Sequence, residues 1–514
     1  VAQNAGADAY NVAIGSQSGS SISTGINNVL LGGSTGDALT TGSYNIAIGH
    51  DALSTEDTGS RSVAIGYHAL QDQNYNGEAF NVAVGHLAGT SVTTGVQNTL
   101  IGGLAGDALT TGIENIAIGH NALGSEDTGN KSIAIGRKAL FSQNYDGDTH
   151  NIAIGIQAGE DITTGLKNNL LGGLAGDSLT TGSNNVAIGY EALTSEDTGS
   201  RNIAIGQSAL GSLNYDGNGY NIAIGHNAGV SVTTGTSNTI IGALAGDAIT
   251  TGADNVAIGR AALTASDTGS RTTAVGAYSL YSQNPTGSDY FYNVALGYQT
   301  AYNITTGTPN VLIGAFAGHD ITTGARNTVV GHDALSSEDT GSRNVAIGYE
   351  SLQALNYDGD AYNVAVGYNA GHDITTGTQN TIIGGLAGDA LTQGSNNTAL
   401  GYGALGAEDT SSYAVAIGHN ALATQNAPSD TYNVAVGKSA GYAVTTGADN
   451  TIIGGLAGDA LTTGSLNVAI GKAALGSEDT GSANVAIGHA ALMNQNYDGS
   501  GYNTAVGHNA GTNV

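Results

Sequence analysis

The chain has 514 residues, with 82 Gly, 3 Pro, one Met and neither Trp nor Cys, and its 12 Lys+Arg against 41 Asp+Glu leave a formal net charge of −29. So few bulky side chains exclude the several thick-cored globular domains that such a length would otherwise suggest, and the acidity excludes a basic stripe for nucleic acid. No apolar run approaches the ~20 residues of a membrane-spanning helix, and zero Cys rules out disulfides and thiolate metal sites.

Residues 1–10 read as the tail of a repeat seen complete further on, as in residues 355–362, and no signal peptide is visible. Repeat starts then fall at Asn11, Asn28, Asn45 and Ser62, again at Asn81, Asn98, Asn115 and Ser132, and so on to Asn503. The spacing is 17, 17, 17 and 19 residues, a 70-residue superrepeat, and there are 29 starts in all. The array opens and closes inside a repeat. The sequence therefore predicts one continuous array over 1–514, with no internal boundary, cut from a longer fibre.

Each repeat opens on a motif such as Asn-Val-Ala-Val-Gly (81–85), in which the first residue is Asn in 25 of 29 cases and the fifth is always Gly. Val and Val share one face of an extended segment while Asn, Ala and Gly share the other, which is the period of a short β-strand. The Gly marks a turn needing positive φ or close approach. A second segment, such as LTTG (109–112), supplies another aliphatic and another Gly. No stretch keeps a helical period.

The expectation is an all-β chain, a parallel β-solenoid of about 29 coils. Its structural positions are the Asn column (Asn81, Asn98, Asn115), the aliphatic column (Ile101), the turn glycines (Gly85, Gly102) and the Thr column (Thr111). Identical aliphatics stack into a thin core, and Asn over Asn forms amide ladders along the axis. At ~4.8 Å per coil the stack would be roughly 140 Å long. In the second coil of each block a large aliphatic (Leu100, Ile240, Ile382, Ile452) replaces the third-position Ala, so that strand is apolar on both faces. One face serves the coil's own core, and the other calls for a partner chain.

The N-V-A-I-G-x-x-A repeat resembles the head repeats of trimeric autotransporter adhesins of the YadA type. It is closer still to the N-T-x-x-G-x-x-A-G-x-x-x-T-T-G arrays of bacterial and phage tail-fibre proteins. The resemblance runs from Asn11 to Gly511. It implies a left-handed parallel β-roll, trimeric, with an adhesive or receptor-binding role. The 17/19-residue coils and the four-coil superperiod depart from the adhesin pattern.

Candidate chemistry is sparse. His50, His86, His120 and five further His follow the invariant Gly, a position that elsewhere holds Tyr67, Gly33 or Arg137, and so reads as solvated surface. With no copy set apart from the others, no catalytic, cofactor or metal residue is assigned. The loop Asn144-Tyr145-Asp146-Gly147-Asp148 reads first as a turn. Its alternating oxygens make Asn144, Asp146 and Asp148 Ca²⁺ candidates, and the loop recurs from Asn214 to Asn218 and from Asn356 to Asp360. Glu56 to Arg61, repeated as Glu338 to Arg343, reads as a local surface ion pair across a turn. A longer coil between Thr272 and Asn293 carries Tyr290, Phe291 and Tyr292; it reads first as tolerated loop drift, and its alternative is a contact patch on an otherwise regular surface.

The sequence therefore predicts a non-enzymatic, extracellular structural shaft on a virion or cell surface, a phage tail fibre or bacterial adhesin. Its partner is itself, as a homotrimer, and the host surface or a glycan is met through a tip outside the segment. Neither nucleic acid nor membrane is a partner, and no cofactor is needed. The alternative is a filament of solenoids joined end to end.

Overall fold

The computed structural model describes residues 8–284 and 290–513. The chain is all-β, a parallel β-solenoid of about 29 coils, each contributing one three-residue strand. The strands are numbered β1 (Val12–Ile14) to β29 (Thr504–Val506). The chain divides into two compact units, Val1–Asn255 and Val256–Val514. The first holds β1 to β14 (Thr239–Ile241), and the second holds β15 (Val256–Ile258) to β29.

Within each unit successive strands pair in parallel and in register, so equivalent residues stack: Val82 on Thr99 on Ile116, and Val84 on Ile101 on Ile118. The 17-residue spacing sets this register. Backbone ladders follow on the far side of the coil, where Thr93 N–H donates to the Thr110 carbonyl and Thr110 N–H to that of Asp127.

The middle residue of each strand points into the coil. Ala83, Leu100, Ala117 and Ala134 are all fully buried. Three more residues per coil complete the interior. In the block that starts at Asn81, the eighth position is Ala88, Ala105, Ala122 and Ala139, and the twelfth is Val92, Leu109, Glu126 and Gln143, all fully buried. The ninth is Gly89, Gly106, Leu123 and Leu140.

These columns explain the four-coil superperiod. Where the ninth position is Leu, the strand residue is Ala, save Val329 in the coil of Leu335. A Cβ on Gly106 would come within 2.8 Å of Leu100 Cδ2, and one on Gly89 within 2.5 Å of Leu100 Cδ1. Leu100 occupies the space those glycines leave, as close packing of an interior requires. The expectation for this strand is corrected only in which face is which: Leu100 serves the coil's own core, and the face carrying Ile101 is the outer one. The large side chain of the second coil is absorbed by its own chain.

A second correction concerns the aliphatic column. Ile101 and its equivalents lie on the outer face, and Ile101 is 37% exposed. The wall between the two faces is one strand thick, so Val and Ile on either side of an inward Ala must point out.

The turn glycines behave as expected. Gly85 and Gly102 have φ of 147° and 137°. A Cβ on Gly102 would meet the Gly119 carbonyl oxygen at 2.5 Å, and one on Gly85 would strike the Gly102 carbonyl. Non-glycine residues also adopt the left-handed region, among them Leu87 (φ 59°), Gln97 (φ 63°) and Leu123 (φ 54°). That conformation costs about 1–2 kcal/mol for an L-residue. At Leu87 and Gln97 it turns the N–H back to the preceding coil, onto the Tyr67 and Ala79 carbonyls.

The Asn column is buried, but it is not a simple amide ladder. Asn98 Nδ2 donates to the Gly112 carbonyl at 2.9 Å, closing its own coil, while Asn98 Oδ1 accepts the N–H of Asn115 at 3.0 Å. Asn81 and Asn115 repeat the pattern toward Gly95 and Gly129. Side-chain to side-chain contacts occur only at some steps, such as Asn238 to Asn221 at 3.2 Å. One short side chain thus satisfies a carbonyl in its coil and an N–H in the next, two groups that could not be left unpaired inside. Thr111 lies exposed, while its neighbour Thr110 donates Oγ1 to the Asp127 carbonyl at 2.9 Å.

Candidate functional site

The strand residues that flank each inward side chain form a continuous outer face within each unit. The last residue of each strand is Val, Ile or Leu in all 29 strands; the first is Val, Ile or Thr, save Asn169. These side chains run from half-buried, where the ladder neighbours shield one another, to exposed, as at Ile46, Ile101, Ile154 and Leu400. Among the described residues, no charged side chain lies in a strand, although the chain carries 41 acidic and 12 basic residues.

Charge collects beside this face instead. Seven of the twelve cations directly precede a coil start, and the other five follow a turn Gly by one or two residues. Arg61 shows the first arrangement. Its Nε lies 2.7 Å from Glu78 Oε1, and its guanidinium sits over the Tyr44 and Phe80 rings at 5.3 and 5.7 Å. An apolar stripe rimmed by charged and aromatic side chains is the anatomy of an interaction surface.

A scan against protein-family models returns no match for this chain, and a search of curated proteins finds none either.

The remaining candidate residues fall on separate partners. In the Asx-Gly loop, Asp146 Oδ1 accepts from Thr128 Oγ1 at 2.5 Å, Asp148 Oδ2 meets Lys131 Nζ at 2.6 Å, and Asn144 Nδ2 donates to the Ser125 carbonyl. The ammonium beside Asp148 holds its carboxyl below the usual range. The loop thus points its three oxygen-bearing side chains at three different groups. In the longer coil, residues 285–289 lie outside the described residues. Phe291 turns inward and is only 3% exposed, so the aromatic surface there is Tyr290 and Tyr292, with the Arg271 guanidinium 3.9 Å from the Tyr290 ring.

The Glu–Arg surface pair is corrected. Glu56 does not meet Arg61; it is fully buried, as are Glu126, Glu196, Glu338, Glu408 and Glu478. Glu126 Oε1 accepts the Gly129 N–H at 2.6 Å, and Oε2 accepts from Gln143 Nε2 at 3.0 Å. Each carboxylate so replaces the aliphatic of the twelfth column. No substrate can reach it, and its work is to hold the turn that follows.

Burial raises the carboxyl pKa of Glu126, Glu196 and Glu338 against the lowering effect of their hydrogen bonds. A carboxyl raised in the folded state contributes stability that is complete below its unfolded value, near 4.5, and is lost as pH rises through the folded value. The chain is expected to melt at higher temperature at pH 4.5 than at pH 8, and Glu126→Gln/Glu196→Gln/Glu338→Gln to flatten that slope. Parallel pH profiles for the two proteins would show that these carboxyls are not its source.

Proposed function

We propose that this chain is a structural shaft of an extracellular fibre, a phage tail fibre or bacterial surface adhesin, assembled from copies of itself along the outer strand face. One observation carries the reading: the face stays uncharged through all 29 strands of a chain whose net charge is −29. Solvent alone would not select Val, Ile or Leu at the end of every strand, and a self-repelling acidic surface would otherwise keep copies apart. A second copy offers the same strand spacing and the same apolar stripe, so contacts made at one coil recur at the next.

The rest of the molecule suits that role. Continuous backbone ladders and buried Asn and aliphatic columns resist bending and local opening. Twelve Lys+Arg leave few tryptic sites. The reading is non-enzymatic and needs no nucleic acid or cofactor. A closed homotrimer is the assembly proposed, with host surface or glycan recognised by a tip beyond this segment. Sedimentation equilibrium tests it. The expected result is a discrete species at three times the chain mass of 50.8 kDa. Open-ended polymers would favour a filament of solenoids joined end to end, and a monomer at every concentration would overturn self-assembly.

A further inference from the structure

The third and fourth coils of the first block bring together three side chains that no other block combines. The turns after Gly49 and Gly66 carry His50-Asp51 and Tyr67-His68. Asp51 and His68 are 17 residues apart and hold the same place in adjacent coils. The backbone ties them in place: Asp51 N–H donates to the Gly33 carbonyl and His68 N–H to the His50 carbonyl, both at 3.0 Å. His50 Nδ1 lies 3.1 Å and His68 Nε2 3.2 Å from the same oxygen, Asp51 Oδ2. The three ligand atoms all lie within 4.8 Å of one another.

The surroundings fix the rings. Tyr67 stacks on His68 with centroids 3.7 Å apart, and also on His50 at 5.8 Å and His86 at 5.4 Å. The side chains of His68 and Asp51 are 20% and 23% exposed, while His50 is 60% exposed and leaves the site open to water.

We propose that His50 Nδ1, the Asp51 carboxylate and His68 Nε2 bind one divalent ion of the zinc class, with water completing its shell. Two imidazoles and one carboxylate suit Zn²⁺ and its neighbours, which take such ligands at about 2.0–2.2 Å. Ca²⁺ and Mg²⁺ take oxygen sets and are disfavoured here. The ion would clip one coil to the next at the edge of the strand face. The equivalent places in the second block hold Asn121 and Lys138, and in the fifth Asp333 and Glu350. Neither has the second imidazole, so the chain carries its own internal controls.

Full-length chain, treated with EDTA and dialysed, is titrated with Co²⁺ at pH 7.5 and followed by visible absorption. X-ray absorption of the Zn²⁺ complex reports the ligands. The expected result is one saturable equivalent with two imidazole nitrogens at the metal, lost in His50→Asn and in His68→Gln and retained in His86→Gln. Unchanged circular dichroism and metal-free melting in these variants would establish that they fold. Diffuse multi-site binding to the acidic surface, or an equivalent that survives His68→Gln in the folded protein, would overturn the proposal.

Discussion

Leu100→Ala is expected to cost the sixth coil about 2–5 kcal/mol, the range for emptying a fully buried Leu site. Gly106→Leu alone is also expected to destabilise, because the new side chain enters at a point where Leu100 Cδ2 stands 2.8 Å from a Cβ. Together they should largely cancel. The pair converts this coil to the pattern of its neighbour, which has Ala117 in the strand and Leu123 at the ninth position. The backbone accepts the exchange, since Gly106 has φ 55° and Leu123 has φ 54°. A coupling energy above ~2 kcal/mol is expected, beyond the 0.5 kcal/mol scatter of independent sites. Because one coil of many is altered, amide exchange at residues 98–114 is the readout, and a global melt would dilute the effect. Additive losses would show that the superperiod is not a volume exchange.

Ile101→Asp/Ile118→Asp/Ile135→Asp is expected to abolish assembly while leaving the fold intact. The three residues are ladder neighbours on β6 (Thr99–Ile101), β7 (Ile116–Ile118) and β8 (Ile133–Ile135), and all point out of the coil. In a single chain the carboxylates stay hydrated and cost only mutual repulsion. Buried against a second copy, an unpaired charge costs about 3–5 kcal/mol, a weakening of at least ~100-fold for each. The variant should sediment as a monomer with the circular dichroism of the parent. Thr111→Asp, at an exposed position away from the strand face, should assemble normally.

Much of this fold was legible in the sequence because a solenoid writes its geometry as a period. The interval from Asn81 to Asn98 to Asn115 fixes the register, the Gly at Gly85 and Gly102 fixes the turn, and period two over 82–84 fixes the strand. The assignment of faces was not legible. Apolar patterning puts Val84 and Ile101 inside and leaves Ala83 ambiguous, whereas the narrow interior is already filled by residues of the eighth, ninth and twelfth positions. The buried carboxylates were missed because Glu-Asp-Thr-Gly-Ser-Arg looks like a hydrated turn. Only the column Val92, Leu109, Glu126, Gln143 reveals that the Glu takes an interior place. The His50–Asp51–His68 group was hidden for a similar reason. Its members stand at two different offsets from the turn Gly, and reading a single offset in isolation misses His68. A comparison of residues 17 apart would have paired it with Asp51.

Another copy of this chain is proposed to cover the outer strand face. The chain has no Cys, so a single cysteine at Ile118 can carry a nitroxide label without background, with Thr111→Cys as the exposed reference. Electron paramagnetic resonance of the assembled protein is expected to show an immobilised label at residue 118, with spin–spin broadening from symmetry-related copies, and a mobile, unbroadened label at residue 111. Equal mobility and no broadening at both positions, in protein that sediments as the parent does, would contradict the claim.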